Sequence, residues 1–395
     1  MKLATQPKSL SVENQMSNLI KIAHEISVEI LAEAAVNDSI DSFPVKTFKI
    51  LIDEGFLKAP FPRKCGGNGL GIEESSTGEL LSILKILGSG NLVVGRLFEG
   101  HFNAVQLINE YGTDTQIERL FGEAILKNHM FGVWNTEAAD GVKIIATTNG
   151  NFRLTGSKIF ASGVGYVNRP IVTGSLPDGG WQMFVVPMEQ VKVSIDNSWW
   201  NPLGMKATRS YRIDFSAVEL NKNDLIGNAN DYYQQPFFSS GAIRFTAVQL
   251  GAAEKLLDLT RQFLGELKRE KDVFQQIRLG EMAIAVESGN LLLKKAARKF
   301  DDYLRDRNPE KNDLSLAYSG MTRTAVEQIC QDVMIRSERS IGSRGLMKPY
   351  HFERIIRDLT IYLRQAAPDE TLTAIGKYVL GSNTPIVKLW QSNDG

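Results

Sequence analysis

After Pro236 the apolar residues of this chain fall into four consecutive stripes, and no other feature of the sequence limits its fold so strongly. Ala253, Leu256, Leu257, Phe263, Leu264 and Leu267 form the first; Leu279, Met282, Ala283, Val286, Leu293, Ala297 and Phe300 form the second. Tyr318, Met321, Ala325, Ile329 and Val333 make a third, and the segment Phe352 to Leu380 supplies a fourth, broken at Pro368. Residues three and four apart share one face of a helix, so each stripe needs another to cover it. Four of them joined by short links predict a helix bundle, with the polar connection DRNPEKND exposed.

The first third of the chain is also helical in period. Met16, Leu19, Ile20, Ala23, Ile26, Ile30, Leu31 and Ala34 predict one long amphipathic helix from Ser11 to about Asn37. Phe43-Pro44 opens a short helix that ends near Gly55, and Pro60, Pro62, Gly66, Gly67, Gly69 and Gly71 mark a turn-rich connection. Two further helices follow over 74–87 and 93–111, with Gly88 to Gly90 between them, and residues 111–126 complete a helical domain. The Gly-rich connection lacks the Lys and Ser/Thr of a P-loop, which leaves a tight link between helices as its reading.

Between these regions the period changes to two. Ile144 to Thr148 is β-branched and runs into Asn149-Gly150, the pair suited to a two-residue hairpin turn. A second strand is expected at once, with Phe152, Leu154, Gly156, Lys158 and Phe160 on one face, ending at Ser162-Gly163. PIVTG, WQMFVVP, VKVSI and SYRIDFSAVEL continue the strand-and-turn pattern to residue 220. The expected class is therefore α+β: an N-terminal α-helical domain (1–127), a middle β domain (128–232) that is barrel-like, and a C-terminal four-helix bundle (233–395).

Composition narrows function by exclusion. Lys plus Arg and Asp plus Glu number 45 each, so the formal net charge is zero and no electrostatic nucleic-acid binder is indicated. Cys65 and Cys330 are the two cysteines, too few for a disulfide framework or a cysteine metal site. His24, His101, His129 and His351 are scattered without paired ligand spacing, so no metal is expected. No apolar run approaches the ~20 residues of a membrane span, and the N-terminus lacks the apolar core of a signal peptide. A reducing, cytoplasmic setting is the expectation.

The run Phe131 to Gly165, FGVWNTEAADGVKIIATTNGNFRLTGSKIFASGVG, resembles the middle domain of the acyl-CoA dehydrogenase superfamily. Matching features recur in order over residues 40–365: FPVKTFKILIDEGFLKAPFPRKCGGNGLG, GMKATRSYRIDFSAVEL and RSIGSRGLMKPYHFERIIRDL. The resemblance implies a flavin, FAD with FMN possible. It assigns Asn135 and Thr136 to the pyrimidine side of the ring, and Phe160 and Ser162 to its other face and edge. Gly342, Ser343 and Gly345 fall where relatives approach the adenine half of FAD on a neighbouring subunit, which implies a homodimer or homotetramer. Lys206, Thr208, Arg209 and Ser210 are candidates for a ligand phosphate, or else exposed turn residues. The helix carrying Arg96, Glu99 and His101 would border the substrate cavity, with Arg244 and Val142 as further substrate contacts. His101 either faces the flavin or is satisfied by a neighbouring carboxylate.

Departures from the pattern decide the chemistry. A dehydrogenase removes a proton activated by a thioester carbonyl, and needs a carboxylate base opposite the flavin. The resemblance places the usual base at Ala366 and a second location at Ile243, beside Arg244; neither can take a proton. Asp369 and Glu370 lie within a turn of Ala366 and are the replacement candidates, although Pro368-Asp369-Glu370 also reads as a helix start. The Arg and Phe-Gly element that meets the FAD pyrophosphate is not recognisable in GELKREKDVFQQIRLGEM, where Lys268 and Arg269 are the available charges. The leading expectation is an FAD-dependent oxidoreductase of acyl-CoA dehydrogenase type, taking a small-molecule acyl thioester and passing electrons to an acceptor or oxygen. The rival is a monooxygenase using reduced flavin and oxygen, with His101 and Ser162 as donors. A non-catalytic flavin- or ligand-binding member of the fold is the third.

Overall fold

The computed structural model describes residues 12–73, 75–147, 150–216, 218–364 and 368–391. It begins with five helices: α1 (Val12–Val36), α2 (Val45–Asp53), α3 (Thr77–Gly90), α4 (Leu92–Tyr111) and α5 (Asp114–Lys127). Gly88 to Gly90 form the last turn of α3 rather than a linker, and Asn91 caps α4 by accepting from Val93 N at 2.9 Å. Asp301 caps α3 from a distant helix: the Thr77 backbone and hydroxyl donate to its Oδ1 at 3.3 and 2.6 Å, and burial pushes its carboxyl up to about 6. This cap joins the two helical regions directly.

Ten strands follow: β1 (Phe131–Trp134), β2 (Lys143–Ala146), β3 (Phe152–Thr155), β4 (Ser157–Ala161), β5 (Arg169–Ser175), β6 (Trp181–Val185), β7 (Ser194–Asp196), β8 (Tyr211–Asp214), β9 (Glu219–Leu220) and β10 (Leu225–Ile226). One sheet runs β10-β6-β5-β2-β3-β9 with β1 also parallel to β5; the other is β4-β8-β7. The strand expected over 152–160 is thus two strands in different sheets. Gly156, at φ +98°, makes the break, and a Cβ there would meet the Asp140 and Gly141 carbonyls at 2.4 and 2.5 Å. β2 and β3 pair as expected, but Ala146 opposes Phe152 and Thr147 bonds Asn151, so the loop exceeds two residues. Asn149 lies outside the described residues.

From Phe237 the chain is helical: α6 (Phe237–Ser240), α7 (Ala242–Glu266), α8 (Val273–Arg305), α9 (Pro309–Gly345), α10 (Phe352–Tyr362), α11 (Pro368–Gly381) and α12 (Ile386–Leu389). Asn308 caps α9 and Pro309 occupies its first turn, which turns the polar connection into a helix start. The stripes α7, α8 and α9 bury against one another; α10 supplies the buried part of the fourth, and α11 lies on α9 without a buried residue of its own. Their core is continuous with α3, α4 and the inner side of the β domain. Among the described residues no helix is long and apolar enough to cross a membrane.

Candidate active site between the β domain and the bundle

An irregularity near the end of β4 turns a side chain outward. The β4–β8 register shifts between Lys158 and Ala161, and Phe160 sits at φ +53°, a region that costs an aromatic residue of order 1 kcal/mol or more. Its ring is 48% exposed and braced edge-on by Trp199 and Trp200, at centroid distances of 5.0 and 5.9 Å. An exposed aromatic ring held in this way can stack on another flat ring.

Beside it three hydroxyls form a chain of fixed polarity. Thr208 donates to the Met205 carbonyl at 2.8 Å, so its oxygen must receive the Ser210 proton across 2.7 Å. Ser210, its proton spent, then accepts from Ser162 at 2.8 Å. The other contact of Ser162, the Phe160 carbonyl at 3.5 Å, is too long to compete. Ser162 therefore offers its lone pairs outward, as an acceptor and not as the donor expected from the sequence. Thr208 and Ser210 serve in this chain rather than as phosphate contacts. Arg209 is likewise committed, donating to Val164 O and Asp41 O at 2.9 and 2.8 Å between the rings of Tyr166 and Tyr211.

Asn135 is oriented by a second network. Lys158, fully buried, donates to Asn135 O and Glu137 Oε1 at 2.9 Å each and to Thr173 Oγ1 at 3.1 Å, and its ammonium lies 5.0 Å from the Trp181 ring centroid. Burial lowers it to about 8 against the pull of Glu137. Having accepted from Lys158, Thr173 must donate to Asn135 Oδ1, at 2.7 Å, and the Trp181 indole does so at 3.2 Å. Asn135 thus turns its amide nitrogen away as a donor. Thr136, exposed, contributes its carbonyl to Ile159 N at 3.0 Å.

The third component is a buried polar stripe on α4. Arg96, Glu99, Asn103 and Gln106 recur at spacings of three, four and three on a helix whose buried residues, His101 apart, are otherwise apolar. Arg96 pairs with Glu99, while Arg244 of α7 donates to Gln106 Oε1 and Asn103 Oδ1, both at 2.7 Å. Tyr362 of α10 and Tyr232 sit against the Arg96–Glu99 pair, and burial raises both phenols. The same helix packs on the turn that carries Ser162 and Thr208 through Leu97, which would lie 3.1 Å from a Cβ on Gly163, while the stripe itself faces Arg244 of α7. Asn103, Gln106, Tyr232 and Tyr362 were not among the expected residues; the polar 3-4-3 spacing in α4 is a signal for Asn103 and Gln106, and no local pattern marks the two tyrosines.

Several expectations are corrected. His101 is wholly buried, its Nε2 bonding Leu57 O at 2.8 Å and its Nδ1 accepting from Phe131 N at 3.0 Å. Burial drives it down to about 4, so it is a neutral, doubly bonded strut between α4 and β1 with no proton to trade and no carboxylate partner. Asp369 and Glu370 are exposed in the first turn of α11, a helix with no buried residue, where the dipole favours them and no desolvated site does. Val142 is fully buried in the core, out of reach of a substrate. Gly342 and Ser343 are exposed and Gly345 is buried at the end of α9. Ala366 lies outside the described residues. Ile243 is buried beside Arg244, as its apolar side chain requires. Among the described residues no group of His, Cys, Asp or Glu could hold a metal ion.

Comparison with known proteins now agrees with this architecture. Residues 20–125 match the family model "Acyl-CoA dehydrogenase, N-terminal domain" and residues 243–367 match "Acyl-CoA dehydrogenase, C-terminal domain". Dibenzothiophene monooxygenase of Mycolicibacterium goodii is 24% identical over 93% of this chain and 94% of its own. The short-chain-specific acyl-CoA dehydrogenase of Clostridium acetobutylicum is 24% identical over 84% of this chain and 89% of its own. The crystal structure of FMN-bound TdsC from Paenibacillus sp. A11-2 superposes with a TM-score of 0.82 at 18% identity, covering 97% of this chain and all (100%) of the other. The order of helical, β and helical regions, the matched models and the shared fold together place this chain in the acyl-CoA dehydrogenase superfamily.

Proposed function

We propose that the protein is a flavin-dependent monooxygenase that takes up reduced flavin and uses oxygen to oxygenate a small molecule. The polarity of the Ser162–Ser210–Thr208 chain carries this reading. An outward acceptor at Ser162 suits the N5 edge of the ring, where the reduced flavin carries an N–H and the oxidised flavin a bare nitrogen; the N3–H on the pyrimidine side is common to both. Asn135 offers the complementary donor, and Phe160 the apolar surface for the ring face. The residues present therefore fit a flavin. FMN is the first to test, because the similar TdsC structure holds it; FAD is the alternative, with the exposed Gly342-Ser343 turn as the contact that a neighbouring subunit would offer.

When bound and reduced, the flavin supplies the electrons that activate oxygen. The protein's own part is to hold the ring, exclude water and orient the substrate. Lys158 fixes Asn135, the hydroxyl chain fixes Ser162, and the Arg96–Glu99 pair neutralises the carboxylate that borders the site. That neutralisation weighs against the dehydrogenase reading, since a carboxylate held by a guanidinium is a poor base toward a substrate carbon. The similarity to monooxygenases and dehydrogenases alike leaves oxygen as the discriminating reactant.

The test is a comparison of two reactions on the purified protein. Oxygen uptake with externally reduced FMN or FAD, above that of free flavin, is the expected result. Bleaching of bound oxidised flavin by butyryl-CoA, without such uptake, would overturn the reading in favour of a dehydrogenase.

A further inference from the structure

We propose that the polar stripe of α4, closed by Arg244 and Tyr362, takes an oxyanion of the substrate, of the carboxylate or sulfinate class. The inference rests on the proposed function only for the site's being the substrate's. The observation behind it is a charge imbalance in a buried place. Arg96 and Glu99 cancel, but Arg244, 3% exposed, bonds only the neutral carbonyl oxygens of Gln106 and Asn103. A buried guanidinium without a carboxylate in contact is costly, and an arriving anion would relieve that cost.

Three donors are also unspent. Arg244 Nε, Gln106 Nε2 and the Tyr362 hydroxyl are buried without a hydrogen-bond partner on α7, α4 and α10, three helices that pack on one another pairwise. Buried donors left unpaired are uncommon and each costs about 1–3 kcal/mol. All three can donate, and the two amide carbonyls of the stripe are already occupied by Arg244, so the set is matched to an acceptor rather than to a second donor. Guanidinium geometry adds a preference for planar or forked oxygens over a halide. Glu99 does not oppose the anion, because its charge is held by Arg96 and bordered by Tyr232 and Tyr362.

The experiment uses the full chain with two anion and neutral pairs: benzoate against benzamide, and methanesulfinate against dimethyl sulfoxide. Thermal shift and calorimetry should show binding of at least one anion and much weaker binding of its neutral partner. Arg244→Gln should weaken that anion at least about tenfold, the loss of one charge-assisted bond. If Arg244→Gln fails to fold, Tyr362→Phe keeps the packing and should weaken the anion about threefold. Equal binding of anion and neutral partner, no binding of either anion, or unchanged affinity in the variant read would overturn the proposal. Reduced-flavin affinity is measured in parallel. Loss of flavin binding with anion binding intact would remove the monooxygenase reading and leave the oxyanion site standing.

Discussion

Lys158 places its ammonium 2.9 Å from the backbone carbonyl of Asn135, at a point where the lysine is wholly buried. One charge thereby sets the backbone position of a residue whose side-chain donor faces out of the β domain. The relationship ties the core of the domain to the proposed flavin contact, and it can be broken by one substitution.

Lys158→Met keeps the apolar stem but strands Glu137, Thr173 and the Asn135 carbonyl. Removing one member of a buried pair costs about 3 kcal/mol. The variant should melt several degrees lower, and its flavin affinity should fall more than that of a surface control such as Lys49→Met. Thermal denaturation and flavin titration of the two variants check this.

His101 makes stability depend on pH. Its folded pKa of about 4 lies below the ordinary 6.5, so between these values the unfolded chain binds a proton that the folded chain refuses. Its contribution is complete above pH 6.5 and is lost as pH falls toward 4, by up to about 3 kcal/mol. Urea denaturation at pH 7 and pH 4.5 should show this loss. Activity between pH 6 and 8 should carry no step from His101, because the ring stays neutral throughout.

Two glycines should respond in opposite proportion to their exposure. A Cβ on Gly204 would lie 2.3 Å from the Arg357 carbonyl, where the β domain docks on α10 and Met205 N donates to Asp358 at 2.5 Å. Gly204→Ala should cost about 3 kcal/mol through forced separation. Gly342 has nothing within 4 Å of such a carbon but sits at φ +59°, so Gly342→Ala should cost only about 1 kcal/mol of backbone strain. Denaturant midpoints of the two variants check the order.

Phe160→Ala removes the exposed ring and leaves Trp199 and Trp200 without their edge-on partner. Flavin affinity should drop about tenfold while the melting temperature changes little, because a 48% exposed ring contributes little to the core. A large loss of stability with unchanged affinity would assign Phe160 to packing instead.

Much of the architecture was legible because helical and strand periods are local properties. The stripes at Leu279 to Phe300 and Tyr318 to Val333 lie within α8 and α9, and the β-branched run at Ile144 became β2. What escaped depends on tertiary context. The break at Gly156 follows from two carbonyls that are close only once the loop at Asp140 has folded over it. For His101 the resemblance implies a flavin and the local sequence a carboxylate, whereas its partners, Leu57 and Phe131, come from remote segments that no local pattern discloses. Ser162 was placed at the right turn, but its role as acceptor depends on Thr208 and Met205, more than 40 residues away, fixing the direction of the protons. Arg96, Glu99 and Arg244 are legible as a group, but Asn103 and Gln106 join them only through the bonds that Arg244 makes across from α7.

The most direct test of the central claim is an anaerobic titration of the protein with reduced and with oxidised FMN, followed by tryptophan fluorescence, for the native chain and for Ser162→Ala. An outward acceptor at Ser162 predicts that reduced FMN binds about three- to tenfold more tightly than oxidised FMN, the value of one hydrogen bond, and that Ser162→Ala abolishes the difference. Equal or tighter binding of oxidised FMN by the native chain, or a preference that survives Ser162→Ala, would contradict it.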